Sequence, residues 1–197
     1  MSFEDTVATL VASVLAAPAT LGAGRLVCVD GPSGAGKSTL AAALDRGFRD
    51  ALRPSGGRSR VLRMDDVYDG WAGLGTGMAT VATSVVVPLR SGVAGRYRRF
   101  DWHATAWAEE CSLPPCDVLV VEGVGAWSTA IRDAVTCLVW VETPSAVRLE
   151  RGVARDGEAM RPWLLAWRAQ EEAMYAAERT RDHADVVVDG QTGTVRK

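Results

Sequence analysis

At 197 residues, with 48% hydrophobic and 23% charged side chains, the chain has the composition of a globular protein with a sizeable core. Its net charge of −2 comes from acids and bases mixed along the sequence, which argues against a general nucleic-acid or membrane-surface binder. Four cysteines, Cys28, Cys111, Cys116 and Cys137, make no CxxC pair and no zinc-type grouping with histidine, so reduced thiols and a cytoplasmic setting are expected.

In chain order, residues 6–17 read as a helix preceded by Glu4 and Asp5 rather than as a secretory leader, whose first residues would be basic. Short apolar, β-branched runs follow at 26–29, 61–64, 118–121, 138–141 and 186–188, each bounded by Gly, Pro, Asp or Ser. Helical stretches lie between them at 37–52, 145–155 and 162–180. Strands alternating with helices predict an α/β fold: a five-stranded parallel sheet covered by helices on both faces. Residues 54–59 join the first of these helices to the second strand. Residues 70–115, rich in glycine and aromatics and ending in Pro114-Pro115, read as an irregular insertion with one or two short helices. No apolar run is long enough to span a bilayer.

Ligands of parallel sheets bind at the carboxyl ends of the strands, so the residue after each strand carries the chemistry. After the first strand comes GPSGAGKST, and Lys37 within it is the only lysine besides Lys197 in a chain with twenty arginines. The stretch matches G-x-x-x-x-G-K-[ST] between a strand and a helix, the context a phosphate-binding loop requires. Its glycines can turn backbone N–H groups toward phosphate oxygens at a helix N-terminus. Gly31, Ser33, Gly34, Ala35, Gly36, Lys37, Ser38 and Thr39 are therefore the expected nucleotide-binding residues. Lys37 would reach the β- and γ-phosphates, and the Ser38 hydroxyl would ligate Mg²⁺.

The second strand ends in MDDVYDGW, where Asp65 or Asp66 could accept a proton from a substrate hydroxyl. The alternative is a cap or an acidic loop. The third strand closes on Glu122, which suits orientation of Mg²⁺ or its water, although strands often end in acids. Beyond the fourth strand, Arg148, Arg151 and Arg155 share one helix face, as a solvated stripe or as charge stabilisers beside phosphate. Arg96, Arg98 and Arg99 form a basic knot that suits either a solvated loop or an anionic acceptor. Trp163 and Trp167, four apart on a helix, read as core packing.

Together, GPSGAGKST, MDDVY, VVEG, RLERGVARDG and ADVVVDG, in that order across residues 25 to 190, resemble the uridine kinase-like branch of the P-loop kinases, which includes phosphoribulokinase and bacterial pantothenate kinases. The resemblance implies a small-molecule kinase with a single domain over 1–197, ATP as donor and Mg²⁺ as cofactor. It places Asp65 at the position of the catalytic acid, with Asp66 as its stand-in, Tyr68 near the acceptor and Glu122 at the metal. It also makes 148–162 a short helical lid carrying Arg151 and Arg155, with Arg148 at its root, and 66–115 the substrate-facing insertion. The chain departs from the family where uridine kinases grip ribose and base. GRYRRFDWHA stands there, with Asp101 the nearest analogue and Tyr97, Trp102 and His103 as candidate walls.

The expected activity is ATP-dependent phosphorylation of a hydroxyl on a nucleoside-like or other small metabolite. The alternatives are a nucleotide monophosphate kinase and an NTPase acting as a conformational switch or chaperone-like factor. The expected partner is a small-molecule acceptor, with no nucleic acid and no membrane; homo-oligomerisation is left open.

Overall fold

Alternation along the strands decides the layers, because successive side chains of a strand point to opposite faces. In the computed structural model, which describes residues 2 to 196, strand β1 (Arg25–Asp30) sends Leu26 and Cys28 to one face and Val27 and Val29 to the other. Strand β5 (Val118–Glu122) divides likewise, with Leu119 and Val121 on the first face and Val118 and Val120 on the second. Two apolar clusters result, one on each side of the sheet.

The valine-rich face is covered by helix α1 (Phe3–Ala16) and helix α2 (Lys37–Leu52), through Leu10, Val14, Leu40, Leu44 and Phe48. Ser2 and Asp5 form a capping box at the start of α1, so the helix begins earlier than its apolar pattern suggests. The opposite face is covered by a helical segment and by helix α6 (Arg161–Glu178). That segment comprises helix α3 (Leu74–Thr80), a π-helical turn (Val81–Val86) and helix α4 (Val87–Arg90). Val81, Val85, Val86 and Leu89 point inward from it, and Trp167 does so from α6.

The remaining strands are β2 (Ser59–Arg63), β3 (Gly95–Asp101), β4 (Ala106–Leu113), β6 (Cys137–Glu142), β7 (Val186–Asp189) and β8 (Val195–Arg196). The main sheet runs β2-β5-β1-β6-β7-β8, and β2, β5, β1, β6 and β7 are parallel. All five predicted strands are present. The sheet gains a sixth, because β8 turns back antiparallel onto β7. Two residues with no apolar run behind them leave no strand signature in the sequence.

The stretch read as irregular is partly regular. β3 and β4 form a separate antiparallel hairpin, with Tyr97 opposite Cys111 and Phe100 opposite Trp107. Its outer face is built from arginines and glutamates pairing across the strands, which hides the apolar alternation that normally betrays a strand. Helix α5 (Ser145–Asp156) follows β6, and residues 157–160 turn the chain into α6. Among the described residues no helix is long and apolar enough to cross a membrane.

Candidate active site

The carboxyl ends of β1, β2 and β5 open on one cavity of about 1020 Å³. The P-loop forms its floor. Gly31 leaves β1 at φ 141°, and a Cβ there would lie 2.1 Å from the Val141 carbonyl of β6, so only glycine lets the loop begin here. The first-turn N–H groups of α2 have no intrahelical acceptors and are available to an anion. Ser33, Gly34, Gly36, Lys37, Ser38 and Thr39 all line the cavity, whereas Ala35 is buried beneath the loop and donates from its N–H to the Pro32 carbonyl.

Lys37 is buried, and its Nζ donates to the Pro32 carbonyl at 3.0 Å. Burial pushes its pKa below the ordinary lysine value, and the carboxylates of Glu171, Asp30, Glu122 and Asp65 counter that by favouring the charged form. The slim ammonium folds back onto its own loop, where a broad planar guanidinium is the poorer fit, which gives a physical reason for this lone internal lysine.

Glu122 ends β5, buried, with Oε2 accepting from the Ser38 hydroxyl at 3.2 Å. Burial raises its pKa and Lys37 opposes the rise. One carboxylate and one hydroxyl side by side at a phosphate loop suit Mg²⁺, which takes one or two protein oxygens and completes its shell with phosphates and water. Among the described residues no three His, Cys, Asp or Glu side chains group as a metal site by themselves.

The two aspartates after β2 part company. Asp65 is exposed on the cavity wall, and its backbone carbonyl accepts from the Trp102 indole at 2.8 Å. Asp66 is half-buried outside the cavity lining, where burial raises its pKa and Arg63 and Arg99 lower it. Arg151 and Arg155 also line the cavity. Arg151 donates to the Gly34 carbonyl at 3.1 Å, and Arg155 pairs with Asp156 at 2.7 Å.

Of the expected acceptor residues, the cavity brings Tyr68 and His103 together with Asp65. Tyr68 is fully buried, its hydroxyl donating to the Val124 carbonyl at 2.6 Å, so it packs rather than offers a polar group. Tyr97 and Asp101 are not in the lining. Tyr97 stands opposite Cys111 in the hairpin, and Asp101 accepts from the N–H groups of His103 and Ala104, capping its own turn. The basic knot is spoken for as well: Arg96 pairs with Glu110, Arg99 with Glu109, and Arg98 donates to the carbonyls of Trp107 and Ala108.

Sequence reasoning missed the groups that hold the loop in place. Asp30 is fully buried and accepts from the N–H groups of Gly31, Gly125 and Trp127 and from the Tyr175 hydroxyl. Burial lifts its pKa to about 6 against the pull of those donors. Glu171 of α6, also buried, accepts from the Ser33 N–H at 2.9 Å and lies 3.8 Å from Arg148. Arg148 is a brace, donating to the carbonyls of Ser33 and Thr143. The far end of the cavity is made by residues 190–193 and Phe3, and a Cβ on Gly190 would stand 1.7 Å from the Ala35 carbonyl.

No family model and no curated protein matches the sequence. Solved structures do. A possible uridine kinase from Bacillus stearothermophilus superposes with a TM-score of 0.65 at 22% identity, over 93% of this chain and 97% of that one. A candidate fructose transport system kinase from Silicibacter sp. TM1040 gives 0.58 at 22% identity, over 85% and 94%. The YGR205w protein gives 0.54 at 9% identity, over 88% of each chain. The chain has the fold of the uridine kinase-like P-loop kinases. At these identities the likeness concerns the fold; the phosphate loop, Glu122 and Asp65 stand at the ends of the neighbouring strands β1, β5 and β2.

Proposed function

We propose that the protein is an ATP-dependent kinase that phosphorylates the hydroxyl of a small, uncharged metabolite. The observation that carries this reading is the meeting of four groups on one cavity: Lys37 in the loop, the Ser38–Glu122 pair, Asp65, and the α5 arginines Arg151 and Arg155. Trp71, Trp102 and His103 line the same cavity beside Asp65, a surface that an NTPase acting only on water does not need. Pairing of Arg96 and Arg99 with glutamates speaks against a phosphorylated acceptor.

In this reading the acceptor hydroxyl donates its proton to an Asp65 carboxylate oxygen as its oxygen bonds the γ-phosphorus. The bond from that phosphorus to the β–γ bridging oxygen breaks, and ADP leaves with the bonding pair. Lys37 and the loop N–H groups stabilise charge on the β- and γ-oxygens, and Arg151 and Arg155 do so from the α5 side. Ser38 and Glu122 would hold Mg²⁺, which when bound neutralises phosphate charge. Burial of Lys37 and Glu122 keeps these charges in a region of low dielectric, where they act more strongly than in water.

The test is ADP formation measured with and without a panel of alcohols. Turnover should depend on the acceptor and fall about 10²- to 10⁴-fold in Asp65→Asn, with ATP affinity retained. Steady hydrolysis indifferent to every alcohol, and untouched by Asp65→Asn, would sink the proposal.

A further inference from the structure

The acceptor end of the cavity is built mostly from rings. Trp71 sits at the centre, with its ring centroid 5.4 Å from that of Trp102, 6.0 Å from Trp167 and 6.1 Å from Trp163. Phe100 stands 5.3 Å behind Trp102, and Tyr68 lies 5.0 Å from Trp167. These side chains come from three separate places: the turn after β2, the tip of the β3–β4 hairpin, and α6. Trp71, Trp102, Trp167 and Tyr68 line the cavity beside Asp65, and Trp102 keeps 37% of its surface exposed there.

The polar tips of this wall are largely occupied. Trp102 donates to the Asp65 carbonyl, Tyr68 donates to the Val124 carbonyl, and Trp167 is set against the Glu171 carboxylate one turn further along α6. Asp101, the expected partner for neighbouring hydroxyls, caps its own turn. What the wall offers a ligand is ring surface, with the Asp65 carboxylate and His103 at its margin. The rings lie in mutual contact, most of them edge to face, so the cavity-lining ring surface left for a ligand is that of Trp102 and half-buried Trp71, with no box for an ammonium group.

We propose that the acceptor is a planar aromatic alcohol, held by ring contact with the tryptophan wall and presenting a single hydroxyl to Asp65. Its role as acceptor rests on the kinase reading, whereas its binding does not. The wall also accounts for the fate of Asp101: with recognition carried by ring contact, no carboxylate is needed to grip a diol.

The experiment titrates pyridoxine and tryptophol, and separately ribose, glycerol and choline, into the full chain with ADP and Mg²⁺ present. Calorimetry reports binding. The two aromatic alcohols should bind, and ribose, glycerol and choline should not. Trp102→Ala should weaken the aromatic probes about five- to tenfold, and Trp102→Phe should restore most of that loss. ADP affinity should be unchanged in both variants. The inference is overturned if neither aromatic probe binds, if ribose, glycerol or choline binds as tightly, or if Trp102→Ala leaves affinity unaltered. An aromatic alcohol that binds through Trp102 and is never phosphorylated supports the wall while counting against the kinase. Phosphorylation of ribose or glycerol in place of the aromatic probes keeps the kinase and removes the wall's role.

Discussion

The Lys37 ammonium donates to the Pro32 carbonyl of its own loop, and Glu171, Asp30, Glu122 and Asp65 oppose the burial that disfavours its charge. Lys37→Arg should therefore lower single-turnover phosphoryl transfer by about 10²-fold or more, although it keeps the charge. Transfer within a few-fold of the wild type would contradict that account. Asp30 makes a different prediction. Burial lifts its pKa from the ordinary 3.8 to about 6, so between those values the folded chain binds a proton that the unfolded chain has released. The group's contribution to stability is then fullest in acid and is lost as pH rises to about 6, a change on the order of 3 kcal/mol. Urea unfolding across that range should show wild type losing ground to Asp30→Asn and the gap levelling above pH 6. A gap that stays constant, or moves the other way, rejects the shift. At this scale the phosphate loop was legible because its residues are contiguous. Asp30 and Glu171 were not, because their meaning comes from partners far away in the chain: Tyr175 lies 145 positions from Asp30, and Ser33 lies 138 from Glu171.

At the scale of elements, the five parallel strands and the helices between them follow from short apolar runs and 3.6-residue periodicity, and they form where the pattern puts them. The β3–β4 hairpin escaped because cross-strand ion pairs replace apolar alternation on its outer face. The two-residue β8 escaped for want of length. Its turn nonetheless shapes the site, since residues 190–193 close one end of the cavity over the loop. Gly190 is the contact point: a side chain there meets the Ala35 carbonyl at 1.7 Å, a backbone atom that cannot swing aside. Gly190→Ala should destabilise the fold by about 1–3 kcal/mol and weaken nucleotide binding measurably, both read by thermal unfolding with and without ADP. Unchanged unfolding in either condition would mean that the turn and loop are not locked together as described. Arg148 and Glu171 act at the same scale, tying α5 and α6 to the loop through Ser33.

Over the whole molecule, the parallel sheet gathers the ends of its central strands into one cavity and divides the work along it. In the proposed reaction the loop and α5 would meet phosphate, and the turn after β2, the hairpin tip and α6 would meet the acceptor. The phosphate half was readable from motifs; the acceptor half was not, because Trp71, Trp102 and Trp167 meet only after three distant elements fold together. That same convergence moved Tyr97 and Asp101 from candidate ligands to hairpin structure. Whether the γ-phosphoryl group leaves ATP for an organic hydroxyl under the control of Asp65 can be read by phosphorus NMR of a complete reaction with an accepted alcohol. A phosphate monoester should form in step with ADP, with little of either in Asp65→Asn. ADP matched only by inorganic phosphate, at equal rates in both proteins, would overturn the kinase reading.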